Sequence, residues 1–314
     1  MNNIFHRSKT PQAKAHPNAG LRREEGLIGL MFLSPWILGF ILLKLVPILA
    51  ALVFSLTDFH MLTPEKTQFI GLKNYLTFLG DLGAWSSLVG SLGYFLTTVP
   101  VELVVALVLA AVMSSERLPA RGFLRSLIFM PSIIPATAIF FIWLGLLDPY
   151  SGWITQLITA PLGLPPISAN SFETLTLMIA LWSIGPGFLI MYGAIQGIPK
   201  EIHEAARVDG AGPILSFISI TMPMISPAIF FSLVIDLTSA FGGSLLLDRG
   251  YVASQSLSPM EGYINFVMFT NQDLGYASTL AWVMFAMTMT ITILLFRSAR
   301  SWVYFPEEAG HESI

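Results

Sequence analysis

The chain has 314 residues, of which 54% are hydrophobic and 11% charged, with a formal net charge of −3 and a mean hydropathy of +0.71. A soluble domain carries about a quarter charged residues, so this composition excludes a water-facing surface over most of the chain and calls for an apolar solvent. The absence of cysteine excludes disulfides, thiolate nucleophiles and cysteine metal sites, the five histidines have no metal-ligand spacing, and nothing suggests a nucleic-acid partner.

Residues 1–26 are polar and basic, with Arg7, Lys9, Lys14, Arg22 and Arg23, while Pro11 and Pro17 oppose regular structure. They read as a cytosolic N-terminal tail. The apolar run over 27–56 is far longer than a signal-peptide core and lacks a small-residue cleavage site, so it is expected to remain as a helix. A span needs about 20 apolar residues, and 87–113, 124–147, 175–195, 223–247 and 276–296 also reach that length. The pattern predicts an all-α, polytopic membrane protein with six transmembrane helices over 27–300 and a short tail over 301–314. An even number puts both termini on one side, and basic residues choose the side. Arg117, Arg121, Arg125, Lys200, Arg207, Arg297 and Arg300 join the tail's bases, against Lys66, Lys73 and Arg249 opposite, so both termini are expected to be cytosolic.

Lys44 falls near the outer end of the first span, where its ammonium can snorkel to the interface. Trp85, Trp153 and Tyr263 in the outer loops suit interfacial anchoring. Residues 151–166 read as a short external amphipathic helix ending in a Pro-rich turn.

The most patterned loop is cytosolic, QGIPKEIHEAARVDGAGPILSFISITMP at 196–223. Pro199 suits a first helical turn, Glu201 and Glu204 sit near the positive helix end, and Gly210 and Gly212 end the helix. Ala205 and Ala206 give a thin face flanked by charge, which suits docking into a cleft on another protein. A solvated helix without a partner remains the alternative at this level.

The series Glu204, Ala205, Ala206, Gly210, Ile220 and Pro223 resembles the signature of permeases of binding-protein-dependent ABC importers: EAA, three residues, Gly, nine residues, Ile, one residue, Leu, Pro. Met222 stands at the leucine position, a change that conserves volume. From about 27 to 306 the chain is similar to the carbohydrate-uptake branch, which includes maltose-type and glycerol-phosphate-type permeases. The fragments FIGLKNYLTFLGD, RGFLRSLIFMPSIIP, LGYASTLAWVMF and RSARSWVYF carry that similarity, whereas DRGYVASQSLSP replaces the usual Gly-Gly-Pro turn outside the fifth span.

The resemblance implies an EAA-loop permease fold in the bacterial cytoplasmic membrane, importing a sugar or sugar-like solute. It implies a second homologous permease, two ATPase subunits and an external solute-binding protein as partners, alongside membrane lipid. It further implies that Glu204, Ala205, Ala206, Asp209 and Gly210 couple to the ATPase, with ATP and Mg on that partner and no cofactor on this chain. In agreement, the sequence has no phosphate loop ending in Lys-Ser or Lys-Thr and no grouping of nucleophile, base and orienter, so this chain is not expected to be an enzyme. Permeases for amino acids or peptides share the EAA loop and form the alternative. A secondary transporter would need several buried carboxylates or an inverted repeat.

Two acids fall well inside the spans, Glu102 and Asp236. An intramembrane carboxylate costs about 3 kcal/mol and usually faces a cavity or a partner. Asp236 lies roughly 20 Å beyond Pro223 along a helix, with Ser232, Ser239 and Gly243 on its face, and a carboxylate accepts well from sugar hydroxyls. The fold family puts its solute site at that depth. A contact with a neighbouring helix, or a protonated acid, is the other reading of Asp236. In the fourth span Trp182, Ser183, Gly185, Pro186 and Gly187 predict a kink that exposes backbone polar groups. Ser183 and Gly187 are candidates for the pathway, and Trp182 for stacking on a sugar or for packing. The fold family implies a peripheral second span, which sets Glu102 apart from the pathway.

Overall fold

The structure, a computed structural model, describes residues 19–115, 118–166, 182, 184–241 and 259–304. Among the described residues the regular structure is helical, apart from two isolated bridges, Thr57 with Phe69 and His60 with Asp273. The chain divides into two units, residues 1–53 and 54–314.

In the first unit, α1 (Ala19–Phe40) runs through a π-helical turn, Ile41–Leu45, into α2 (Val46–Ser55). Pro47 has no N–H and its ring would strike the carbonyl one turn back. The wider turn, closed by Val46 N–H on Ile41 O, accommodates both defects. Ile28–Ser55 is a 28-residue stretch of mean hydropathy 2.7, and none of its most apolar window is buried. A helix apolar all round is matched to lipid. Lys44 sits within the π turn.

The second unit contains α3 (Lys73–Gly80), α4 (Leu82–Met113), α5 (Arg121–Phe129), α6 (Ala136–Leu146), α7 (Gly185–Gln196), α8 (Lys200–Val208), α9 (Pro213–Ser216), α10 (Met222–Phe241), α11 (Pro259–Asn265) and α12 (Leu274–Trp302). Its spine is α4. Asp81 caps that helix by accepting from the N–H groups of Gly83 and Ala84 at 2.8 and 3.1 Å. Three apolar clusters follow along it. Ala84 packs with Met260, Val267 and Leu280, then Phe95 and Val99 with Leu237 and Phe241, then Ala106 and Ala110 with Phe188 and Met191. In lipid such clusters hold by close packing, because the surrounding tails are as apolar as the side chains. A peripheral second span is therefore not what forms: α4 packs against α7, α10 and α11.

Among the described residues four stretches are long and apolar enough to cross a membrane: Ile28–Ser55, Leu82–Met113, Pro213–Thr238 and Leu274–Trp302. The third expected span is not one helix. A 3₁₀ turn, Met130–Ile133, separates α5 from α6, and Ile134 is extended with ψ 131° because the following Pro135 disfavours helix there. Of the fourth, 175–181 and 183 lie outside the described residues; α7 starts at Gly185 with Pro186 in its first turn. The fifth begins earlier than 223, since α9, a π turn over Phe217–Thr221 and α10 form one continuous helix from Pro213. Met222 N–H on Phe217 O closes that π turn just before Pro223, the solution already used before Pro47.

Of the expected anchors, Trp153 is largely exposed, whereas Trp85 lies 5.1 Å from the Phe78 ring. The Tyr263 hydroxyl is engaged, donating to Asp81 Oδ2 at 2.8 Å. Residues 151–166 contain a short helix that includes a π turn, Thr155–Thr159.

Candidate functional site

The loop helix α8 follows Pro199 at its N-cap, places Glu201 in its first turn and Arg207 in its last, and so complements its own dipole. It ends in a reciprocal pair of bonds: Ala211 N–H on Ala206 O at 2.9 Å and Gly210 N–H on Arg207 O at 3.1 Å. These are the two bonds of a Schellman motif, which needs a left-handed residue, and Gly210 has φ +83°. No atom lies within 4 Å of where a Cβ would stand, so torsion alone selects glycine there. The chain then turns into α9, and His203 Nδ1 meets Ser216 Oγ at 3.3 Å across the turn.

This geometry separates the coupling candidates. Ala206 is buried, while Glu204, Ala205 and Asp209 are exposed. Ala205, Ala206 and Asp209 border a cleft of about 370 Å³ with Leu215 and Ser219. Around it Val208 is 88% and Ile214 77% exposed, an apolar surface left open beside charged groups.

Asp236 lies on α10 between Ile229 and Ala240 around the helix, and both of those pack into clusters with α4. Glu102 shares the buried face of α4 with Phe95, Val99 and Ala106. Both carboxyls therefore lie on the facing surfaces of α4 and α10. Ser232, one turn before Asp236, is 1% exposed and its Oγ lacks a partner among the described residues. Gly187 is close to α4: a Cβ there would meet Ala106 Cβ at 3.7 Å. Ser183, Gly243 and the Ser239 side chain lie outside the described residues.

Sequence reasoning missed the partner of Trp182. That ring packs edge-on to Trp143 at 5.6 Å, and both indole N–H groups, with Ser132 Oγ, are buried without a protein partner among the described residues. Each such group costs about 1–3 kcal/mol unless water or solute satisfies it. A partial signal was present in Pro131 and Pro135, which break the preceding helix and place Ser132 in a 3₁₀ turn. Also missed was a polar knot at the other end of α4. Tyr263 and Tyr276 both donate to Asp81 Oδ2, at 2.8 and 2.7 Å. Burial opposes ionisation of Asp81, but those hydroxyls and the Ala84 and Gly83 N–H groups outweigh it and hold the carboxyl below its ordinary value. Burial and the Asp81 contact push the Tyr263 phenol up to about 12.

The long apolar stretches among the described residues define a helical membrane protein. The chain belongs to the family of binding-protein-dependent transport system inner membrane components, whose model matches residues 102–301. Both the loop and the acidic pair fall in that range. Among its relatives are the probable ABC transporter permease protein YesP of Bacillus subtilis, 32% identical over 90% of this chain and 94% of that protein, and the arabinooligosaccharides transport system permease protein AraP of the same organism, 26% identical over 84% and 86%. The trehalose/maltose transport system permease protein MalF of Thermococcus litoralis is 26% identical over 89% and 96%. These relatives are named as transport permeases rather than enzymes. The fold matches a chain of a bacterial alginate ABC transporter, crystallised with an alginate pentasaccharide-bound periplasmic protein, with a TM-score of 0.69 and 18% identity over 91% of this chain and 98% of that one.

Proposed function

We propose that this chain is one permease subunit of an ATP-driven importer for a sugar-like solute, with six spans, both termini in the cytosol, and ATPase coupling through residues 196–223. The observation that carries the reading is continuity between loop and pathway. The Gly210 turn joins α8 to a helix that runs unbroken from Pro213 to Phe241, with Asp236 about 35 Å from its start. A displacement of α8 by an ATPase therefore travels along one rigid rod to the acidic pair. The family description, binding-protein-dependent transport, supports an external binding protein. The sugar class draws support from relatives named for arabinooligosaccharides and trehalose/maltose, and from carboxylates suited to accept from hydroxyls.

The test is reconstitution of this chain with a second permease, the ATPase and the binding protein, followed by measurement of solute-stimulated ATP hydrolysis. Stimulation by an oligosaccharide-loaded binding protein is expected, whereas stimulation by amino acids or peptides alone would move the chain to another importer branch. Because native cysteine is absent, single cysteines at Ser114 and Ser151 report topology cleanly: Ser114→Cys should label only from the cytosolic side and Ser151→Cys only from outside.

A further inference from the structure

Away from the loop and the two acids, a groove of about 490 Å³ lies between α10 and α12. Phe230, Ile293 and Phe296 line it with apolar surface, and Arg297 and Arg300 stand at the C-terminal end of α12. Phe230 meets Phe296 edge-on at 5.0 Å and Trp302 at 5.9 Å, so the aromatic contacts continue from the groove to the last residue of α12. Both arginines are exposed, and neither has an acidic partner among the described residues. Two cations in the last turns of a helix do complement its dipole, but that effect requires neither a groove nor aromatic walls. The same end of α12 is tied to the start of α10 by Tyr304 N–H on Ser226 Oγ at 2.8 Å.

We propose that this groove binds one anionic phospholipid, with its phosphate on Arg297 and Arg300 and an acyl chain along Phe230, Ile293 and Phe296. The chemistry is complementary at both ends. Guanidinium groups bind phosphate oxygens in pairs, and an apolar channel on a membrane span admits an acyl tail. Because the groove is bounded by α10, a lipid seated there braces the helix that links loop to acidic pair.

The experiment is native mass spectrometry of the purified assembled importer, offered phosphatidylglycerol, phosphatidylcholine or soluble glycerophosphate. Selective retention of phosphatidylglycerol is expected, with no displacement by glycerophosphate. Each arginine contributes about fivefold near an anionic surface, so the Arg297→Gln, Arg300→Gln double variant should retain it about 25-fold more weakly. Ile293→Trp, which fills the apolar part without changing charge, should also reduce retention. Equal retention of both lipids by the unaltered complex would overturn the proposal, and so would displacement by glycerophosphate. Loss of a protein subunit from the arginine variant with lipid retention intact would assign the groove to a subunit interface instead.

Discussion

Replacing Gly210 isolates the loop's turn from its contacts, because its φ is +83° and open space surrounds the missing Cβ. Alanine meets no clash there and bears only the left-handed torsional cost, about 1–2 kcal/mol. That cost raises the open population of the turn about 5- to 30-fold. Asparagine tolerates the left-handed region better and should fall between glycine and alanine. Proline cannot reach the angle, since its ring fixes φ near −65°, and it also deletes the N–H that bonds Arg207 O. The Schellman pair is then lost, at a net 0.5–1.5 kcal/mol per bond beyond the torsional cost. The expected order of damage is Asn, Ala, Pro. It is read by hydrogen exchange at the Ala211 amide and by solute-stimulated ATP hydrolysis in the assembled importer. Exchange that rises in this order while ATPase coupling stays at the wild-type level in the proline variant would refute the loop as the transmission element.

Three further outcomes are expected. Asp236→Leu should reduce transport about tenfold to a hundredfold, the value of a hydrogen bond to a charged group, with insertion and assembly intact; unchanged uptake would make Asp236 a helix contact only. Asp81→Asn should lower the melting midpoint of the purified protein at neutral pH. Because the folded carboxyl titrates below its ordinary 3.8, its stabilisation is complete above that value and is lost as pH falls through the folded one. The difference between wild type and variant should accordingly shrink only below pH 3.8, and a difference that vanishes near neutrality would refute the assignment. Gly275→Ala would drive a Cβ into the Thr57 carbonyl oxygen, with Phe59 N at 3.0 Å, and should destabilise the second unit by about 1–3 kcal/mol; an unchanged melting midpoint would show that this backbone approach relaxes freely.

The loop was legible from the sequence because its determinants are local. A proline before the helix, an acid in its first turn and a glycine at the left-handed position each act within a few residues, so the motif at 196–223 announced both its helix and its turn. Apolar runs likewise announced α4 and α12, since length and hydropathy alone match a helix to lipid. Hydropathy does not reveal where a run breaks. The third expected span is interrupted at Pro131 and Pro135, whereas Pro223 lies inside a continuous helix whose π turn absorbs it.

By itself the sequence determined the lipid environment, the loop motif and the presence of two intramembrane acids. Only the tertiary structure decided that those acids lie on the facing surfaces of α4 and α10, that α4 is the spine rather than an outlying span, and that Asp81 joins Tyr263 to Tyr276 across some 180 to 195 residues of chain. The physical reason is that a span apolar on all sides carries no mark of which face meets protein and which meets lipid. That choice is made by the fit of one helix surface against another, and it exists only once the helices are packed.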